Sequence, residues 1–235
     1  MYEAVRAHPE GQSTVARLAK RAADYGYEGV VVRNRSGSRA DYDADAIADE
    51  YGIDVVDGVE IRAETPQEAS GAVGNYRTSR TIVALEGGTN ALNRFAVEQA
   101  KVDVLAGPMA GDGDVNHVLA KAAVENGVRI EFDLSRALRE SGGRRVRAIQ
   151  SLRKLAEIVD YYDAPYVVSA DPASHLELRA PRELQALGEE IGLSRAFVAD
   201  GLAEWGRVAE RNRHVQSESF IEPGVERGRY EEEPR

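Results

Sequence analysis

The sequence predicts an α/β fold in which parallel strands close into a (β/α) barrel. Three observations carry that expectation. Short β-branched runs alternate with amphipathic helical patterns at a spacing of roughly 25 residues, as repeated βα units do. Runs such as "GVVVRNR" and "TIVALEG" are apolar without alternation, as strands covered on both faces should be. Six such units followed by a seventh strand fit a chain of 235 residues, close to the ~250 typical of the closed barrel.

The strands are expected at 2–6, 29–33, 55–62, 81–86, 102–106, 128–133 and 166–170. Helices are expected between them near 14–25, 43–51, 66–76, 90–100, 116–126 and 144–162. Their openings carry capping signals, such as Thr65-Pro66 with Glu68, or Asn116. Several close on glycine, at Gly26, Gly52 and Gly127. After Ala170 the pattern turns helical over 181–191 and 194–213, so the eighth strand is expected to be missing or degenerate. One barrel domain over 1–213 is expected, then an acidic, disordered tail over 214–235. From Gln216 that tail has little core-forming content.

At 43% hydrophobic residues the chain can build a proper core. It has no apolar run near the ~18 residues that a membrane span needs. "MYEAVRAHPEG" lacks the apolar core of a signal peptide, so a cytoplasmic protein is expected. There is no cysteine, which excludes disulfides and thiolate metal sites. Four lysines and 26 arginines face 40 acids, for a net charge of −10. Abundant acids, scarce lysine and many small residues suggest a saline cytoplasm, as in haloarchaea; a merely acidic mesophile is the alternative. In the saline reading the charge describes the solvent and does not argue against a nucleic-acid partner.

In such barrels chemistry sits at the carboxyl ends of the strands. Those ends carry Arg6-Ala7-His8, Arg33-Asn34-Arg35, Glu60-Ile61-Arg62, Glu86, Gly107-Pro108, Glu131-Phe132-Asp133 and Ser169-Ala170-Asp171. A metal hydrolase needs several histidines and carboxylates converging there. The four histidines (His8, His117, His175 and His214) form no HxH or HExxH pattern. The turn "EGGTN" opens a helix that could hold a phosphate, but a plain strand-to-helix turn accounts for it. "GPMAGDGD" reads as a flexible loop, and no Ser/His/Asp or Cys/His set assembles. The expectation is a barrel with no catalytic residue and no metal of its own.

One stretch stands apart. From Leu134 to Lys154 seven cations (Arg136, Arg139, Arg144, Arg145, Arg147, Arg153 and Lys154) meet only Glu140, so the local charge is 7 − 1 = +6. "SGG" breaks the chain, and a helix begins near Arg144. Its Ile149, Leu152, Leu155, Ala156 and Val159 share an apolar face. Arg144, Arg145 and Arg147 crowd the first turn, where positive charge opposes the helix dipole by roughly 0.3–1 kcal/mol each at low salt. Local helix stability therefore does not explain them. A solvated face would interleave both signs; a surface for a polyanion would not.

The segment 135–193, "SRALRESGGRRVRAIQSLRKLAEIVDYYDAPYVVSADPASHLELRAPRELQALGEEIGL", resembles the ribonuclease P protein component 3 family of archaea. Leu176-Glu177, Arg179, Pro181 and Leu187-Gly188 are its most specific elements, and "GVVVRNR", "DVVDGVEIRAETPQE" and "VDVLAGP" are also similar to the family. The likeness runs from Tyr2 to about Arg213. It implies a barrel of the PHP phosphoesterase type, in agreement with the barrel above. Where such enzymes carry HxH this chain has "EAVRAHP"; the next acid and histidine are replaced by "VVRNR", "SADPASH" is a remnant, and Glu60 alone looks retained.

The resemblance implies a subunit of the ribonucleoprotein that removes the 5′ leader from precursor tRNA, leaving 5′-phosphate ends. RNA would carry the catalysis and hold the magnesium, with no cofactor on this chain. Expected partners are ribonuclease P RNA, protein component 2 and the other subunits, with precursor tRNA met indirectly and no membrane. Arg144, Arg145, Arg147, Lys154, Arg179 and Arg182 are the expected RNA contacts, and Arg33, Arg35 and Arg62 weaker candidates. The alternatives are a metal-dependent PHP-type phosphoesterase using His8, Glu60, Asp171 and His175, and a metal-free barrel enzyme acting on a small molecule.

Overall fold

Residues 1–217, 220–222 and 225–226 are described by a computed structural model. Its core is seven βα steps: β1 (Tyr2–Val5), α1 (Val15–Asp24), β2 (Gly29–Val32), α2 (Ala44–Tyr51), β3 (Asp54–Ile61), α3 (Pro66–Arg77), β4 (Ile82–Glu86), α4 (Asn90–Val97), β5 (Val104–Ala106), α5 (His117–Asn126) and β6 (Arg129–Asp133), then α6 (Ser135–Arg139), α7 (Gly142–Tyr162), β7 (Tyr166–Ser169), α8 (Pro181–Ile191) and α9 (Arg195–Gln216). The strands pair in parallel in the order β1 to β7. Each expected strand is present, shifted by a residue or two at its ends. α6 leaves no signal in the sequence, because five residues are too few to show a helical period. A short antiparallel pair, β8 (Phe220–Glu222) and β9 (Val225–Glu226), follows. The expectation of a disordered tail falls largely on residues outside those described.

The capping signals do what their chemistry requires. Thr65 accepts from the Glu68 amide and Asn116 from those of Val118 and Leu119. Gly52 and Gly127 close their helices at φ 64°. Gly26, just beyond the end of α1, has φ 84°. Beside "EGGTN" the buried Asn93 of α4 accepts from Gly88 N and donates to the Pro108 and Asp114 carbonyls, so α4 ties that turn to the loop after β5.

Side chains alternate across each strand. One set (Val5, Val32, Val59, Leu85, Leu105, Phe132) packs under the helices. The other (Ala4, Val31, Val56, Ala84, Val104, Val167) faces the barrel interior and meets Trp205, Val208 and Ala209 of α9. Burial on both faces is why these strands read as continuous apolar runs.

Among the described residues no eighth strand closes this sheet, and α9 lies against both edge strands, β7 and β1, instead. Trp205 is fully buried and donates from Nε1 to Val168 O at 2.9 Å. A Cβ on Gly201 would stand 2.4 Å from Val168 Cγ2 and 2.9 Å from its amide, so only glycine allows α9 this close. Glu3 spans the same gap, accepting from Ser169 Oγ and Ala170 N, each at 2.9 Å. At the amino end, buried Asp103 ties Arg77, Arg211 and Asn212 together and fixes the far half of α9.

Trp205→Ala should therefore destabilise the chain by about 3–5 kcal/mol, the usual cost of truncating a buried aromatic. Denaturant unfolding at constant salt measures it, and Gly201→Val should fall in the same direction.

Candidate nucleic-acid interface

The inward positions at the carboxyl ends are charged, because the two-residue period that places Ala4, Val31 and Gly58 inside also places Arg6, Arg33 and Glu60 there. Arg33 is 1% exposed. Its NH2 lies 2.6 Å from Glu131 Oε1 and 3.1 Å from Asp171 Oδ1, and its NH1 lies 3.2 Å from Glu60 Oε2. Its guanidinium also rests over the Trp205 ring, 5.6 Å from the centroid. Arg6 donates to both oxygens of Glu60 at 2.8 and 2.9 Å and to both of Asp171 at 2.9 and 3.0 Å. Arg35, at the margin, joins Glu10 at 3.2 Å and Glu86 at 3.3 Å.

The electrostatics follow from burial. Burial would raise Asp171, but Arg33 and Arg6 outweigh it and hold that carboxyl below its ordinary value. Burial pushes Glu131 up to about 7; Arg33 opposes the shift while Asp133, Asp171 and Glu60 add to it. Glu3 is likewise pushed up to about 7 by burial, against the Ala170 amide and the Ser169 hydroxyl that bind its charged form.

These carboxylates do not fit a metal. Glu60 and Asp171 already give their oxygens to two guanidiniums. His175 is engaged through Nδ1 with Ser13 Oγ at 2.9 Å, and His8 is exposed. The set His8, Glu60, Asp171 and His175 thus does not come together as ligands. The weaker RNA candidate Arg33 also needs correction: a guanidinium shut inside the barrel and shared by three carboxylates has no face for a phosphate.

The exterior differs. α7 begins beside the rim, and Arg144, Arg145 and Arg147 are exposed on its first two turns. Ser141 makes no side-chain cap there. Arg144 meets Glu140 at 2.9 Å and remains 68% exposed. Arg145 and Arg147 have no carboxylate partner among the described residues. Lys154 lies further along α7, bound to both oxygens of Asp114 at 2.7 Å.

Arg179 and Arg182 are exposed but placed elsewhere. The Arg179 carbonyl accepts from Tyr27 Oη at 2.9 Å, and its NH1 donates to the Leu178 carbonyl at 2.9 Å. Arg182 opens α8 beside Met1 and Tyr25, at the amino end of β1. Arg182 thus lies at the amino end of the barrel, away from the α7 group, while the Arg179 guanidinium folds back on the Leu176, Glu177 and Leu178 carbonyls, and Glu177 meets Arg139 of α6 at 3.5 Å. Arg136 belongs to the basic stretch but is not among those six. It borders a cleft between the loop after β5 and α7, a position the strand-end register of β6 could have suggested.

Known proteins share this architecture. The family model for RNase P subunit p30 matches residues 1–217. Ribonuclease P protein component 3 of Natronomonas pharaonis is 62% identical over 96% of this chain and 94% of its own length. That of Haloarcula marismortui is 61% identical over 96% of each. That of Methanococcoides burtonii is 33% identical over 93% of this chain and 89% of its own. Among solved structures, a chain in an archaeal ribonuclease P with mature tRNA has a TM-score of 0.81 at 24% identity, covering 99% of this chain and all of that one. The histidinol phosphate phosphatase of Lactococcus lactis, solved with zinc, has a TM-score of 0.53 at 8% identity over 82% of this chain and 94% of its own. That likeness is one of fold, and the barrel is of the PHP type.

Two outcomes test the rim. Arg33→Met strips Glu131 of its cation and leaves Glu60 and Asp171 to Arg6, and should cost about 3–5 kcal/mol, as removing one partner of a buried ion network does, measured by denaturant unfolding. Glu3 is easier to protonate folded than unfolded. Its contribution is full below the unfolded value and is lost as pH rises through about 7. Glu3→Gln should flatten the dependence of stability on pH between about 4.5 and 7, by at most about 3 kcal/mol, when unfolding midpoints at pH 5 and pH 8 are compared.

Proposed function

The chain belongs to the RNase P subunit p30 family and is a protein component of ribonuclease P, which matures the 5′ end of tRNA; on that premise we propose that it acts by laying the arginine face of α7 on the catalytic RNA. The observation that carries this reading is the contrast between the two sets of guanidiniums. Those inside the barrel are consumed by carboxylates, while Arg145 and Arg147 stand exposed without an acidic partner among the described residues. Arginine suits the task because its planar fork binds two phosphate oxygens at once. Arg144 and Lys154 hold single, exposed ion pairs worth roughly 0–1 kcal/mol, which a phosphate can displace.

On this reading the bond is broken by RNA-held magnesium and the barrel supplies shape and charge. Protein component 2 and the other subunits are its protein partners, and precursor tRNA is met through the assembly. Arg182 would meet a different element from α7, since it sits at the amino end of the barrel. The phosphoesterase alternative is disfavoured by the engagement of Glu60 and Asp171 with Arg6 and Arg33.

Replacing Arg144, Arg145 and Arg147 together by alanine should leave the fold intact, since it removes charge that opposes the α7 dipole. Cleavage of precursor tRNA by the reconstituted enzyme should fall. The salt dependence of RNA affinity should flatten by about 2 log units per log unit of salt, at ~0.7–0.9 for each phosphate no longer neutralised. Unchanged cleavage at every RNA and protein concentration would remove α7 from the interface.

A further inference from the structure

Beside the α7 arginines lies a half-open cleft between the loop after β5 and one face of α7. Pro108 and Met109 form one wall, Ala148, Leu152 and Leu155 the other, and Asp133 and Glu131 also line it. Arg136 borders it, and helical spacing sets Arg144 four residues before Ala148 and Arg147 four before Ser151, on the same columns of α7. Cations at the mouth suit a phosphate, while apolar walls suit the faces of a base and a carboxylate inside suits donors on its edge.

We infer that this cleft receives one unstacked guanine base of the RNA whose backbone the α7 arginines hold, an inference that rests on the function proposed above. The two Asp133 oxygens accept from Ser135 N at 2.8 Å and Ser135 Oγ at 2.7 Å. Burial and the nearby Asp171 raise the Asp133 carboxyl above its ordinary value, and donors of a bound base would favour its ionised form, whose oxygens together offer about four lone-pair sites. Guanine is the base whose pairing edge presents two adjacent donors, N1–H and the N2 amino group. Uracil flanks its single N–H with acceptors, and adenine and cytosine set one amino group beside an acceptor. Unstacked bases held between side chains and read on their pairing edge are how proteins recognise RNA sequence.

This site also answers a difficulty of the outer surface. Phosphate contacts weaken steeply as salt rises, whereas apolar burial and a hydrogen bond within a cleft are little screened. A base anchor keeps a protein of net charge −10 on RNA where counterion release is feeble. The carboxylates lining the cleft keep phosphates out of it and leave them to the arginines at its mouth.

The chain has no cysteine, so Ser151→Cys at the cleft carries a photoreactive azidophenacyl group at one position. In the reconstituted enzyme its adducts should concentrate on one or a few unpaired guanosines. Inosine at the mapped position, which lacks the N2 amino group, should cut the adduct severalfold. Asp133→Asn keeps the Ser135 amide contact, and should weaken RNA binding about tenfold without changing the salt slope, since every phosphate contact remains. Adducts spread along paired backbone, or indifference to inosine, would overturn the base site while leaving the α7 interface standing. No RNA adduct at all, together with normal cleavage by the α7 alanine variant, would overturn both.

Discussion

One guanidinium governs the open end of this barrel. Arg33 sits beyond the reach of water and is shared among Glu60, Glu131 and Asp171, with the Trp205 ring behind it. An isolated ionised group at that depth is prohibitively costly, so arginine and acids must be present together. Arg6 repeats the arrangement one strand away, gripping Glu60 and Asp171 from the other side. The carboxylates of this rim are matched by the chain's own cations.

The same constraint links the rim to the rest of the molecule. Trp205 touches the Arg33 guanidinium above and the inward residues of the strands around it, so α9 is plug and closure at once. With seven strands the sheet has two edges, and an exposed edge invites pairing with other chains. Here α9, Glu3 and the Trp205 bond to Val168 cover them. α7 packs against α5 and α6 beside that rim.

Much of this was legible in the sequence, for reasons that can be named. Strands buried on both faces leave unbroken apolar runs, and "GVVVRNR" announced β2 within a residue. Thr65 and Asn116 announced their helices because a cap acts locally. The loss of the last strand showed in the helical pattern after Ala170. The partners of the strand-end charges were hidden. Arg33 and Arg145 are the same residue type, and only the closed barrel brings Glu131 and Asp171 across to the first and leaves the second in water. The division of Arg144, Arg145, Arg147 and Lys154 from Arg182 was hidden for the same reason, since adjacency across the barrel has no period along the chain. The cleft between Met109 and Leu152 joins segments far apart in sequence and leaves no local signal.

Internal cations that occupy the rim carboxylates are the arrangement on which everything else depends. The most direct measurement is calorimetric titration of the intact chain with manganese, an ion that carboxylate sites bind readily. It should show no stoichiometric site, and Asp171→Asn should change nothing in the titration. A tight site of one or two ions, abolished by Asp171→Asn, would contradict that arrangement.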